Sequence, residues 1–200
     1  MPPPPIDPNA VFLNIPYDEE FRPLYIAYIV GLYQLGLVPH IASEISGGKR
    51  RLDKILELIQ SCRYSIHDLS RVELSDEASG IPRFNMPLEL GMTITWAALF
   101  PDLHKEWFVF ESERYRLQRS TSDLNGTDPN IHHGTVEGLL SELRNAVSRD
   151  GVTVPAWDWM MQAYRIVESE MDRIFLHAGT RNLYAKSVFQ ELCRYAFFLS

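Results

Sequence analysis

Short apolar runs alternate with helix-period stripes along the first three quarters of the chain. Val11-Phe12-Leu13-Asn14-Ile15, stopped by Pro16, predicts a strand buried on both faces. Pro23 suits the first turn of a helix, Leu24, Tyr28, Gly31 and Leu35 follow at helical spacing, and Gly36 ends it. Leu37 to Ala42 predicts a second strand, at a sheet edge because Pro39 has no N–H to give a central ladder. Leu52, Ile55, Leu56 and Ile59 form an i, i+3, i+4, i+7 stripe and predict a helix over Arg51 to Cys62. Tyr64 to Leu69 predicts a third strand, followed by a polar loop from Ser70 to Asn85. A helix from about Pro87 to Ala98 and a fourth strand over Trp107 to Phe110 come next. The polar stretch 111–134 stays unassigned, with room for a short fifth strand. Val136, Leu139, Leu140, Leu143 and Val147 predict another amphipathic helix.

This β-α-β-α-β-α-β alternation implies an α/β fold: a three-layer, flavodoxin-like parallel sheet of order 2-1-3-4, with strands one and three in the middle. After Asp150-Gly151 the pattern changes. A stripe from Met160 to Ile174 and a segment from Leu183 to Leu199 predict two helices. The expected organisation is therefore a Pro-rich lead-in over 1–10, an α/β domain over 11–150 and a C-terminal helical extension over 151–200. The extension is expected to bury Trp157, Tyr164, Phe175 and Phe189.

Composition narrows the function. A chain of 200 residues that is 46% hydrophobic and 22% charged suits a globular core. Its net charge of -7 argues against general nucleic-acid binding, which needs concentrated Lys and Arg. No run approaches the ~18 apolar residues of a membrane span, and the start lacks the pattern of a signal peptide. Cys62 and Cys193 show no framework spacing and read as reduced thiols, so a cytoplasmic location without membrane partners is expected. No Gly-x-Gly-x-x-Gly or Walker loop is present, and His132, His133 and Glu137 lack metal-site spacing. No metal and no cofactor are expected.

Open parallel sheets bind ligands beyond the carboxyl ends of their strands. That edge should hold Tyr17 and Asp18 after strand one, Lys49, Arg50 and Arg51 before the second helix, His67 and Asp68 ending strand three, and Arg83, Asn85 and Glu89 around the third helix. Glu89 is the sole charged residue from Phe84 to Phe100. It reads either as a functional carboxylate or as a first-turn residue that favours the helix end. Lys49 to Arg51 read either as a phosphate contact or as a solvated turn.

Three segments carry a resemblance: Val11-Phe12-Leu13-Asn14-Ile15-Pro16-Tyr17-Asp18, Tyr64-Ser65-Ile66-His67-Asp68-Leu69-Ser70, and Pro82-Arg83-Phe84-Asn85-Met86-Pro87-Leu88-Glu89-Leu90-Gly91. They look like a set of uncharacterised bacterial proteins that resemble the superfamily uniting nucleoside 2-deoxyribosyltransferases with TIR domains. The likeness covers about residues 11 to 148. It implies that Glu89, in Glu89-Leu90-Gly91, is the carboxylate of N-glycosidic bond cleavage, and that Asp68 faces the ligand. The acid those transferases place just before the glutamate is missing from Ile81 to Asn85.

Such a reaction passes through an oxocarbenium-like sugar that a carboxylate stabilises or attacks. Asp68 or His67 would serve the departing base, Tyr17 would stack on it or bond a ribose hydroxyl, and Asp18, Arg83, Asn85, Lys49 and Arg51 would complete substrate binding. The expected partner is a small nucleoside or nucleotide, extending to a dinucleotide such as NAD. A homodimer is expected by analogy with related folds. The alternative is a non-catalytic nucleotide-binding or protein-interaction module of the same fold.

Overall fold

The computed structural model describes residues 4–42, 50–72, 82–147 and 154–200. Strands β1 (Asp7–Asn14), β2 (Val38–His40), β3 (Cys62–Asp68), β4 (Glu106–Glu111) and β5 (Asn130–Ile131) form one parallel sheet of order β2-β1-β3-β4-β5. This is the predicted flavodoxin-like order, with β5 supplied by the unassigned stretch. β2 stands at the edge, where Pro39 withholds no ladder bond. β1 and β3 are interior and almost wholly buried along their carboxyl halves. β1 starts four residues before Val11, because Asp7 pairs with Cys62 across a register shift. Residues 7–10 thus belong to the sheet and not to a flexible lead-in.

The helices are α1 (Arg22–Gln34), α2 (Arg51–Ser61), α3 (Asn85–Leu99), the short α4 (Arg116–Ser120), α5 (Val136–Ala146), α6 (Trp157–Ser169), α7 (Met171–Ala178) and α8 (Lys186–Phe198). Gly36 takes the left-handed conformation expected of a helix stop, at φ 68°. The C-terminal extension contains three helices where two were expected. The stripe from Met160 to Ile174 is broken at Glu170, whose φ of -91° and ψ of 3° end α6.

By contacts the chain divides into Met1–Pro16 with His40–Ile131, and Tyr17–Pro39 with His132–Ser200. In the first unit α2 and α3 cover one sheet face. Phe12 and Cys62 pack with Ile55, Leu58 and Ile59, while Val109 and Leu69 pack with Met86 and Leu90. In the second unit the nearly all-apolar α1 packs against α5, α6 and α8, which groups α1 and α5 with the C-terminal helices. Tyr164 and Phe189 are buried there as expected, and Phe175 is half-buried. Trp157, expected to be buried, is 37% exposed, because as the first residue of α6 it has no preceding turn to shield it. Among the described residues no helix is long and apolar enough to cross a membrane.

The start of α5 supports a stability prediction. Thr135 caps it, its hydroxyl accepting from the Gly138 N–H at 3.0 Å. A Cβ on Gly138 would lie 2.2 Å from the His132 carbonyl oxygen. Alanine for glycine inside a helix ordinarily gains up to about 1 kcal/mol. Gly138→Ala should instead lose about 2–3 kcal/mol, the scale of overpacking against a part that cannot move. Urea titration should show the midpoint falling; a rise would mean that the capped turn gives way freely.

Candidate functional site

The carboxyl ends of β1 and β3 place polar side chains where apolar strands stop. Register pairs Asn14 with His67, so both side chains project to the same face of the sheet. The Asn14 amide nitrogen lies 3.0 Å from His67 Nδ1 and also donates to the Met86 carbonyl at 3.0 Å. One amide nitrogen therefore ties β1 to β3 and to the first turn of α3. With Nδ1 accepting, the ring proton rests on Nε2, which has no partner among the described residues. His67 is fully buried, and its pKa is pushed down to about 3 by burial first and the Lys105 charge second. The ring is neutral at pH 7. It offers an N–H, but no imidazolium proton for a departing base.

α3 begins at Asn85, two residues earlier than predicted, because Pro87 is tolerated where the helix needs no N–H. Glu89 is then the fifth residue of α3, past the first turn, so stabilisation of the helix end does not account for it. With Met86, Leu90 and Thr93 it lies on the buried stripe of the helix, only 4% exposed. Burial raises its pKa to about 7, against the opposing pull of the Arg51 charge and a hydrogen bond with the Asn85 side chain. Arg51 opens α2, and Asn85 opens α3. Glu89, Asn85 and Arg51 are thus brought together.

Asp68 and Glu89 make their described bonds to different neighbours. Alternation along β3 sends Leu69 into the Met86 and Leu90 cluster and turns Asp68 toward the other face. The Asp68 carboxylate is fully buried and accepts from the Ser70 N–H at 3.0 Å and hydroxyl at 2.6 Å, which fixes the turn after the strand. Arg83 is half-buried, with its N–H on the Val72 carbonyl at 2.7 Å. Tyr17 and Asp18 belong to the second unit. There the Tyr17 ring packs on Tyr25 and Tyr184, at 6.1 and 5.2 Å between centroids. The Asp18 carboxylate caps the turn before α1 by accepting from the Phe21 N–H at 3.1 Å. Lys49 lies outside the described residues.

Sequence reasoning missed three members of the strand-end network. Asn14 reads in the sequence only as part of an apolar strand. Glu111, 1% exposed at the end of β4, lies 3.8 Å from Arg116 Nη1, which also donates to the Ser70 carbonyl at 2.7 Å. An acid ending an otherwise apolar strand is the same signal that picked out Asp68. Among the described residues no group of three His, Cys, Asp or Glu is placed to hold a metal ion. Comparison of the chain with family models, curated proteins and solved structures gives no match.

Proposed function

We propose that the first unit binds a nucleoside or nucleotide and cleaves or exchanges its N-glycosidic bond, with Glu89 as the acting carboxylate. The observation that carries this reading is a carboxylate 4% exposed at the carboxyl edge of a parallel sheet, with its pKa raised to about 7. At neutral pH both of its protonation states are populated. Positive charge developing on a sugar would draw it fully to the anion, and a carboxylate in dry surroundings stabilises such charge strongly. Asn85 holds the carboxyl group in place, and Arg51 keeps the anion accessible. Asp68, fixed by Ser70, is assigned to substrate orientation. The resemblance to the deoxyribosyltransferase and TIR superfamily supports the same reading, and a cytoplasmic location suits its two free thiols.

The hydrogen bond from Asn85 and the nearby Arg51 charge also favour a second reading, a nucleotide-binding module that keeps the fold without the reaction. Incubating the protein with nucleosides, nucleoside monophosphates and NAD, and following free base by chromatography, separates them. The enzyme should release base at a rate proportional to protein. Binding without release would identify the module. Neither binding nor release across the panel would overturn both.

A further inference from the structure

In the second unit, a cleft of about 340 Å³ opens between the start of α1, the end of α6, and α7. Its walls carry charges of both signs, held apart. Arg22, the first residue of α1, is half-buried and makes no ion pair with any described residue, although Glu19 and Glu168 line the same cleft. Glu168 accepts from the Tyr164 hydroxyl at 2.8 Å through one carboxylate oxygen, which leaves the other available. Tyr164 is 5% exposed; burial and the neighbouring Glu168 push its pKa well up, so it stays a donor. Asp172 and Arg181 close their own pair at 3.3 Å on the exposed rim. Met171 and Leu183, both buried, supply an apolar floor.

Neither charge is where its helix end favours it. Arg22 stands at the amino end of α1, and Glu168 in the last turn of α6, which holds no basic residue. Opposite charges that share a cleft without pairing are what a ligand with both charges requires, since each end finds a counter-charge: the half-buried Arg22 for the anion, and the exposed Glu19 and Glu168 for the cation.

We propose that this cleft binds a free amino-acid zwitterion with an apolar side chain: the carboxylate on Arg22, the ammonium on Glu168 and Glu19, and the side chain on Met171 and Leu183. The volume is at the small end of ligand sites, which run from about 300 to 1,000 Å³, and suits a ligand of this size. The site is independent of the chemistry assigned to Glu89.

Calorimetric titration of the full chain with L-leucine tests it. Leucine should bind with a Kd of about 1 mM or tighter. 4-Methylpentanoate, which lacks the ammonium, and isoamylamine, which lacks the carboxylate, should each bind at least about tenfold more weakly, the loss of one charge-assisted contact. Arg22→Gln should remove leucine binding, and Glu168→Gln should weaken it, with circular dichroism confirming the fold. No leucine binding, or equal binding of either analogue by the unaltered protein, would overturn the proposal without reference to any variant.

Discussion

Glu89→Gln should lower base release by about 10²–10³-fold, the scale of removing one preorganised charge from a dry site. The same change should make the protein more stable at pH 8. Holding an anion at a position 4% exposed is unfavourable, and the rise of the Glu89 pKa from 4.5 to about 7 corresponds to roughly 3 kcal/mol at most. Glutamine keeps the size and a hydrogen bond for Asn85 but carries no charge to desolvate. At pH 4 the carboxyl group is mostly protonated in folded and unfolded chains alike, so the gain should nearly vanish there. Chromatography of released base, with urea titrations at pH 4 and pH 8, gives both readings on one variant. A residue whose hydrogen bond to Asn85 and attraction to the Arg51 charge merely hold α3 would behave oppositely, with base release intact and stability at pH 8 reduced. That outcome would remove Glu89 from the chemistry.

The parts of this fold legible in the sequence are those where burial dictates composition. β1, β3 and β4 are buried along their carboxyl halves, and those halves read as apolar runs. β2 could be placed at the edge because Pro39 cannot serve a central ladder. Glu89 was legible because a single charge in seventeen residues of apolar or neutral sequence needs a reason. Features set by long-range register were not legible. Asn14 acquires its role only when pairing brings it beside His67, 53 residues away. β5 is two residues long and carries no periodicity of its own. Arg116 reaches the Ser70 carbonyl across 46 residues, from a stretch the pattern left unassigned. The division of the helices was hidden for a related reason. α1 is buried almost all round, so its composition does not say which neighbours cover it.

Glu89 and His67 should give stability opposite dependences on pH. Between pH 4.5 and about 7 the folded chain keeps a proton on Glu89 that the unfolded chain has released. The folded state binds more protons there, so stability falls as pH rises through that window. Between pH 6.5 and about 3 the unfolded chain takes up a proton on residue 67 that the buried ring refuses. The unfolded state binds more protons there, so stability falls as pH falls. Each slope has a limit of about 1.4 kcal/mol per pH unit. From pH 4.5 to 6.5 both operate, and their contributions cancel in the unaltered protein. His67→Gln should expose the Glu89 term, because a glutamine carbonyl can still accept from the Asn14 amide but cannot be protonated. Its stability, relative to the parent, should fall by roughly 2–3 kcal/mol from pH 4.5 to 6.5. Glu89→Gln should rise by a similar amount over the same interval, and the double variant should run parallel to the parent. Urea titrations at half-unit steps of pH would measure all four curves. If His67→Gln ran parallel to the parent, residue 67 would titrate alike in folded and unfolded chains, and the dry, neutral ring that anchors α3 through Asn14 would have to be given up.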